Sequence, residues 1–164
     1  MSSGFSVPPI ELPGARLVAL EAEACAGLAA SIAAIPPWSE MDYPAEALAR
    51  FLVAADGAAR YRIETAGETA GAVCVRHPWL KGPYLELLAI LPPYQGQGIG
   101  AGVLDWFERE GARHGARNLW VCASSFNSRA LEFYRRHGFR PAATLPGLVT
   151  HGYDEILLRK FPLR

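Results

Sequence analysis

Three glycines at alternate positions, Gly96, Gly98 and Gly100, separate an apolar run from a helical pattern. Glycines allow the backbone to turn tightly and to come close to a ligand. The first N–H groups of the helix that follows have no partner within that helix, and the helix dipole adds positive charge there. The segment therefore predicts either a site for a phosphate or pyrophosphate, or a glycine-rich turn that binds nothing.

Two well-known phosphate motifs do not fit this loop. A Walker loop requires Gly-Lys followed by Ser or Thr, and the loop contains no lysine. A dinucleotide-binding fingerprint requires GxGxxG, whereas the loop reads GxGxG. The loop therefore belongs to neither of these classes.

A second segment, from Asn127 to Phe139, follows a predicted strand and has the spacing of a short helix. Asn127 stands where the N-cap of this helix is expected. Tyr134 shares the inward face with Ala130 and Phe133. Taken alone, these residues describe an ordinary helix cap and an ordinary core tyrosine.

Together the two segments resemble the GNAT superfamily of N-acetyltransferases. The family's loop reads Gln/Arg-x-x-Gly-x-Gly/Ala, and the stretch from Gln95 to Gly100 reads Gln-Gly-Gln-Gly-Ile-Gly. The family's later signature reads Asn-x-x-Ala-x-x-x-Tyr-x-x-x-Gly-Phe, and its positions are matched by Asn127, Ala130, Tyr134, Gly138 and Phe139. The resemblance is strongest from Tyr84 to Phe139, and it implies the GNAT fold and acetyl-CoA as the acetyl donor.

The resemblance also implies a place for each part of the coenzyme. Backbone N–H groups of the glycine loop would hold the pyrophosphate, and the strand from Leu88 to Ile90 would pair with the pantetheine arm. That strand would splay from the next one, Leu119 to Ala123, and a backbone N–H near Ile90 would polarise the acetyl carbonyl in the gap. Asn127 would contact the pantetheine arm, and Tyr134 would protonate the leaving thiolate. The implied cofactor-binding residues are Leu88, Ala89, Ile90, Gln95, Gly96, Gln97, Gly98, Ile99, Gly100, Asn127 and Tyr134.

The base that deprotonates the amine is predicted to be Glu86, the one acid in the apolar run from Tyr84 to Leu91. A carboxylate inside such a strand is unfavourable unless it is solvated or paired. Strand alternation places Tyr84, Glu86, Leu88 and Ile90 on one face. The alternatives are a structural carboxylate paired with an arginine, a carboxylate that orients the substrate, and an ordered water as the route for the proton.

Aromatic side chains occur in the segments that wall the acceptor cleft of this family, namely Trp38, Tyr43, Trp79 and Tyr84. They predict an apolar, aromatic or cationic acceptor, or else plain packing. The stretch from Pro37 to Glu40 resembles the branch that acetylates ribosomal-protein N-termini. That branch has a glutamate base twelve residues before the tyrosine, where this chain has Cys122. A thiol is a poor substitute for a carboxylate, so Cys122 argues against that branch and is assigned to the substrate cleft.

The elements that must position these residues follow the order βααβββαβαββ. This order predicts an α+β domain with a mixed, mostly antiparallel sheet of six to seven strands, a splayed central pair and four flanking helices. Residues 1–14 are rich in Pro, Ser and Gly and are predicted to form a flexible tail, and residues 15–164 a single N-acetyltransferase domain. Asp42 is predicted to cap a second helix that begins near Pro44.

Composition limits the class of protein. The 164 residues are 51% hydrophobic, and 16 basic residues balance 16 acidic ones, which predicts one globular domain and no nucleic-acid partner. The N-terminus has no signal-peptide pattern and the longest uncharged stretch is too short to cross a bilayer, so the sequence predicts a cytoplasmic protein without a membrane partner. Three widely spaced cysteines and four scattered histidines predict neither a disulfide framework nor a metal site.

The leading interpretation is an acyltransferase that moves an acetyl group from acetyl-CoA to the primary amine of a small molecule, by direct attack in a ternary complex. The protein is expected to be a monomer or a homodimer. One alternative is a peptide or protein amine as acceptor. Another is a non-catalytic acyl-CoA-binding module that senses or regulates. Tyr134 favours an enzyme, because sensing requires the loop but no general acid.

Overall fold

The computed structural model describes residues 4–161. Its strands are β1 (Ile10–Leu12), β2 (Ala15–Ala19), β3 (Ala59–Thr65), β4 (Glu68–Trp79), β5 (Gly82–Ile90), β6 (Leu119–Ser124), β7 (Arg140–Pro146) and β8 (Asp154–Lys160). Its α-helices are α1 (Ala22–Ala33), α2 (Ala45–Val53), α3 (Ile99–Arg113) and α4 (Ser128–Arg136), and a 3-10 turn covers Pro92–Tyr94. The predicted α+β class is confirmed, with eight strands rather than six to seven.

All eight strands form one sheet in the order β1-β2-β3-β4-β5-β6-β8-β7. Neighbours are antiparallel except β5 and β6, which run parallel and pair at only two positions, Tyr84 with Trp120 and Leu85 with Val121. Beyond Val121, β6 continues to pair with β8 on its other side, whereas β5 runs on to Ile90 without β6. The predicted splayed central pair is therefore confirmed.

Each face of the sheet packs against a layer of helices, and apolar side chains fill the core between them. Val73 and Val75 of β4 face the core that contains Phe107 of α3 and Tyr134 of α4. The alternating residues of β4, including Cys74, face the core formed with α1 and α2. This alternation is what a central strand buried on both faces requires.

The segment before β2 is ordered, so the predicted flexible tail is wrong for its described residues. Ile10–Leu12 pairs antiparallel with β2. Phe5 is only 6% exposed, and its ring lies edge-on to Trp106 with 5.8 Å between centroids. Burial of these apolar side chains outweighs the loop-forming tendency of the prolines around them. Residues 1–3 of the predicted tail lie outside the described residues.

The two helix caps that were predicted from sequence have different outcomes. Asn127 caps α4, because its side-chain oxygen accepts a hydrogen bond from Ala130 N at 3.2 Å. Asp42 does not cap α2: it adopts a left-handed φ of 50°, and the helix begins after Pro44 without a side-chain cap. Pro44 in extended conformation starts this helix instead.

The cysteines, the possible metal ligands and the hydrophobicity of the helices were also predicted from the sequence. Cys25 and Cys74 are buried free thiols, and Cys122 is a half-buried one. No group of three or more His, Cys, Asp or Glu side chains in residues 4–161 is placed to hold a metal ion. Within the same range, no helix has the length and apolar character needed to cross a bilayer.

Candidate active site

A cleft of about 710 Å³ lies between the two helix layers, at the end of β5 where the central strands diverge. Its walls are the α1–α2 connection, the glycine loop and α4. All but one of the residues predicted to bind the coenzyme line it, namely Leu88, Ala89, Ile90, Gln95, Gly96, Gly98, Ile99, Gly100, Asn127 and Tyr134. The structure thus brings together two segments that are about 30 residues apart in the sequence.

The inner edge of β5 presents backbone groups to this cleft. Leu91 N donates to Ala70 O at 2.8 Å. Because backbone hydrogen bonds to one neighbouring strand come from every second residue, Ala89 and Leu87 also direct their N–H groups towards β4. The N–H groups of Leu88 and Ile90 therefore point the opposite way, into the gap left by β6. An extended ligand can add to such an edge as an extra strand.

The glycine loop leads directly into α3. Gly96 and Gly98 have left-handed φ values of 75° and 83°, and a Cβ atom at either position would meet nothing within 4 Å. The first intrahelical bond runs from Gly102 N to Gly98 O, so the N–H groups of residues 99–101 have no partner within α3. No acidic residue lies in this first turn. The helix start therefore offers a positive, sterically open surface for an anion.

Side chains hold the loop to both neighbouring elements. Gln95 Nε2 donates to Ile90 O at 2.8 Å, and its Oε1 accepts from Arg129 of α4 at 3.2 Å. Gln97 turns away from the cleft, because its amide donates to Pro93 O. Gln95 is thus a brace between the strand and α4, while Gln97 has only its backbone available to a ligand.

Two cationic side chains at the cleft were missed by sequence reasoning. Arg129 and Arg136 of α4 are exposed and line it beside the start of α3. They are seven residues apart, which is about two helical turns, so the spacing puts them on one face. Helical spacing by itself indicates only a polar face, and the proximity of that face to the glycine loop is a property of the tertiary structure.

Tyr134 reaches the cleft from the inward face of α4. It is 7% exposed, lines the cleft, and packs edge-on against Phe139 with ring centroids 5.8 Å apart. Burial raises the pKa of its hydroxyl well above the ordinary value, and the nearby Cys122 raises it further. The hydroxyl therefore keeps its proton at neutral pH and can act as a donor.

A bulge in β5 overturns the predicted orientation of Glu86. Successive residues of β4 pair with Leu87 and then with Leu85, which leaves Glu86 as the extra residue. Leu88 and Ile90 pack towards α3 and α4, whereas Leu87 packs towards α1 and α2. The prediction that strand alternation places Glu86 on the face of Leu88 and Ile90 is wrong, because the bulge interrupts the alternation.

Glu86 is also not the isolated carboxylate that was expected. Its Oε2 accepts from Arg76 Nε at 2.8 Å, on the α1–α2 side of the sheet near the Cys74 thiol. Arg76 is bound in turn by Asp56 at 3.0 Å. This geometry corresponds to the alternative of a structural carboxylate paired with an arginine.

The four predicted cleft aromatics do not form one wall. Trp38 lines the cleft, while Tyr43 packs on the core beneath α1 and α2. Trp79 stacks on Tyr84 at 4.7 Å, and Trp120, which the sequence did not single out, completes this group at 5.8 Å. This second group lies at the β4–β5 turn, outside the cleft lining.

Cys122 lies on the α1–α2 side of the sheet, since its neighbours Val121 and Ala123 face the other core, and it is next to the point where β5 and β6 diverge. Its thiol is within hydrogen-bonding reach of the Tyr84 hydroxyl. Burial is the main cause that raises the pKa of Cys122. The residue is therefore a protonated thiol at neutral pH, unsuited to accept a proton from an amine.

This fold and this cleft define an acyltransferase. The chain belongs to the acetyltransferase (GNAT) family, whose model matches residues 25–139. It is 25% identical over 129 residues to the [ribosomal protein bS18]-alanine N-acetyltransferase of Escherichia coli K12, covering 77% of this chain and 82% of that protein.

Solved structures share the fold. A Desulfovibrio desulfuricans protein classed in the GNAT family superposes with a TM-score of 0.67 at 24% identity, covering 90% of this chain and 97% of the other. A GNAT acetyltransferase from Elizabethkingia anophelis, solved with acetyl-CoA bound, superposes with a TM-score of 0.62 at 17% identity, covering 77% and 91%.

Proposed function

We propose that this enzyme is an acetyl-CoA-dependent N-acetyltransferase in which a primary amine attacks the thioester directly in a ternary complex. One observation carries the proposal: the open inner edge of β5 and the start of α3 face the same cleft. The edge offers N–H and C=O groups to an amide-bearing arm, and the helix start offers N–H groups to a pyrophosphate. The Elizabethkingia anophelis structure with acetyl-CoA bound supports the choice of coenzyme, since the two chains share the fold.

The residues take the following roles in this proposal. The N–H of Ile90 polarises the acetyl carbonyl, and the preorganised amide stabilises the oxyanion as it forms. Asn127, with its oxygen used in capping α4, has its amide N–H₂ available for the pantetheine arm. Tyr134 gives its proton to the departing thiolate.

The proposed acceptor is the primary amine of a small molecule. The Tyr153 hydroxyl donates to Glu40 O at 3.1 Å, which ties the start of β8 to the α1–α2 connection and bridges the acceptor side. Trp38 in the same connection lines the cleft. A bridged entrance with an aromatic wall favours a small amine over a folded protein surface.

A peptide or protein N-terminus is the second candidate. The observation that favours it is the 25% identity to the bS18-alanine N-acetyltransferase over most of both chains. An extended N-terminal peptide is narrow enough to enter where a folded surface is not. The presence of Cys122 in place of the glutamate expected in that branch weighs against it.

A thiol-release assay with acetyl-CoA tests the function and separates the acceptors. The panel contains an arylalkylamine, a linear diamine, free amino acids and an alanyl peptide. Faster turnover of a small amine supports the proposal, whereas turnover confined to the alanyl peptide would transfer it to the second candidate.

Thermal unfolding with coenzyme A alone tests the cofactor separately. At 100 times its Kd, a ligand stabilises the folded state by about 2.7 kcal/mol, which raises the Tm by several degrees. No shift at millimolar coenzyme A would refute the proposed cofactor. A shift without turnover of any amine would favour a non-catalytic acyl-CoA-binding module.

A further inference from the structure

Glu155 is the second residue of β8 and, unlike Asp154 before it, is buried. It is 7% exposed and pairs in register with Ser124, the last residue of β6. Leu157, two residues on, pairs with Cys122. Side chains of directly paired residues lie on the same face of a sheet, so Glu155 lies on the face that carries Cys122.

The carboxylate of Glu155 lacks a counter-ion in the part of the chain that the structure describes. Within residues 4–161 it forms no salt bridge, and its Oε2 is buried without a hydrogen-bond partner. The neighbouring Ser124 hydroxyl is buried as well, and it is a neutral group that reaches towards the carboxyl. Buried carboxylates are nearly always paired with a charge or fully hydrogen-bonded, so a buried carboxylate with only a hydroxyl beside it requires an explanation. Glu86, by contrast, is held by Arg76.

The position of Glu155 connects it to the proposed reaction centre. The gap between β5 and β6 opens after Val121, and Ser124 lies three residues further along that open side. Ser124 O accepts from Asn127 N at 2.8 Å, so the start of α4 is anchored at the same point. Tyr153, two residues before Glu155, packs its ring on Phe126, which lines the cleft.

Electrostatic coupling follows the same path. The charge of Glu155 contributes to raising the pKa of Cys122 and of Tyr84. Cys122 in turn raises the pKa of Tyr134. Glu155 and the candidate acid Tyr134 are thus both close enough to Cys122 to interact with it electrostatically.

We propose that Glu155, rather than Glu86, is the general base that takes the proton from the incoming amine, directly or through one water. The inference rests on the proposed N-acetyltransferase function and names its missing base. An unpaired carboxylate also supplies the negative charge that a protonated amine needs on the acceptor side, so the substrate class is a cationic amine.

The environment of Glu155 suits this role. Burial raises the pKa of its carboxyl, and the neighbouring Ser124 hydroxyl opposes the shift. The titratable groups that face it are Cys122 of β6 and Tyr84 of β5, both neutral at pH 7 because burial raises the pKa of each. Its partner on β7 is Leu145, which does not titrate, and Glu40 lies in the α1–α2 connection across the cleft. A carboxyl with a raised pKa is a better base near neutral pH.

The protons balance as follows. The ammonium substrate gives one proton to the Glu155 carboxylate, and the neutral nitrogen forms a bond to the acetyl carbon. The C–S bond breaks with its electron pair on sulfur, and Tyr134 protonates the thiolate. The tyrosinate takes the remaining excess proton from the acylated nitrogen, and Glu155 releases its own proton to solvent as the amide leaves.

The pH dependence of kcat/KM for Glu155→Gln tests this base, with the fastest amine of the panel as substrate. We expect a loss of about 10²–10⁴-fold near neutral pH and a smaller loss at high pH, where the amine is already neutral. The acidic limb set by the carboxyl should therefore be replaced by a rise that follows deprotonation of the amine. Glu155→Asp keeps the carboxylate and should retain the acidic limb. Because glutamine removes a buried charge, the Tm of Glu155→Gln should not fall below that of the wild type.

Glu86→Gln tests the other candidate base, and this variant should retain the acidic limb of the wild type. The proposal is overturned if Glu86→Gln loses that limb, or if Glu155→Gln keeps both the limb and the rate. Infrared difference spectra of the coenzyme A-bound protein across an acid titration give a second readout that needs no turnover. A protonating carboxyl band that disappears in Glu155→Gln supports the assignment, and an unchanged spectrum contradicts it. Failure of the wild type on every amine would instead overturn the proposed function.

Discussion

The hydroxyl of Tyr134 is buried and keeps its proton, which is what a general acid needs before the thiolate forms. We predict that Tyr134→Phe lowers kcat by about tenfold or more, since general acid catalysis contributes about 10²–10⁴-fold. The affinity for coenzyme A should stay nearly unchanged, because the ring and its packing on Phe139 are retained. Steady-state kinetics and calorimetric titration with coenzyme A measure the two quantities.

Tyr61→Phe is the matched control for this substitution. Tyr61 is also buried, and its hydroxyl donates to Ser6 O at 2.7 Å, away from the cleft. Losing that hydrogen bond should lower the free energy of unfolding by about 1 kcal/mol and leave kcat unchanged. Equal kcat for Tyr134→Phe and Tyr61→Phe would return Tyr134 to the status of a core tyrosine.

At the scale of elements, the start of α3 depends on a backbone conformation that favours glycine. We predict that Gly98→Ala destabilises the protein by about 1–2 kcal/mol through its left-handed φ and abolishes the thermal shift produced by coenzyme A. The added methyl group meets no protein atom within 4 Å, so it projects into open space at the cleft. Thermal unfolding with and without coenzyme A measures both effects.

Gly67→Ala separates strain from binding. Gly67, in the β3–β4 turn, has a φ of 77° and equally open surroundings. The Gly67→Ala variant should lose a similar free energy of unfolding and should keep the full rise in Tm with coenzyme A. If both variants keep the shift, the start of α3 is not the pyrophosphate site.

On the scale of the whole molecule, a chain of ion pairs joins the end of α2 to the central strands. Asp56 binds Arg60 at 2.7 Å and Arg76 at 3.0 Å, and Arg76 binds Glu86. Arg60 and Arg76 hold the pKa of Asp56 well below its ordinary 3.8. The folded state therefore favours the charged carboxylate, and its contribution to stability is complete above 3.8 and is lost as the pH falls further.

We predict that Asp56→Asn lowers the Tm at pH 7 by about 2–4 °C, which corresponds to about 1 kcal/mol for a partly exposed pair in a chain of this size. The difference from the wild type should shrink below about pH 4, as Asp56 in the unfolded chain becomes protonated. Asp105→Asn, at an exposed acid of α3 without an ion pair in residues 4–161, should show no such pH dependence. A constant Tm difference across pH would contradict the role of the ion pairs.

The sequence by itself determined the family, the element order from β2 onward and most of the residues of β5, the glycine loop and α4 that line the cleft. These features depend on local causes: glycines where φ is positive, an asparagine at a helix start, and apolar residues at the period of each element. Such causes act within a few residues of the chain. Gln95, Gly98 and Asn127 therefore lie where their motifs predicted.

Only the tertiary structure decided which acid is free. Glu86 is the one acid of β5, whereas Glu155 follows Asp154 in a strand that also contains Arg159 and Lys160, so the sequence singles out Glu86. A bulge turns Glu86 towards Arg76, which comes from another strand, whereas Glu155 is buried beside Ser124 without a counter-ion among residues 4–161. In the same way, the segment around Phe5 has a defined structure because the Phe5 ring packs on Trp106, which is about one hundred residues away in the sequence. Register shifts and long-range pairing are set by packing between distant elements, and the spacing of residues along one strand carries no record of them.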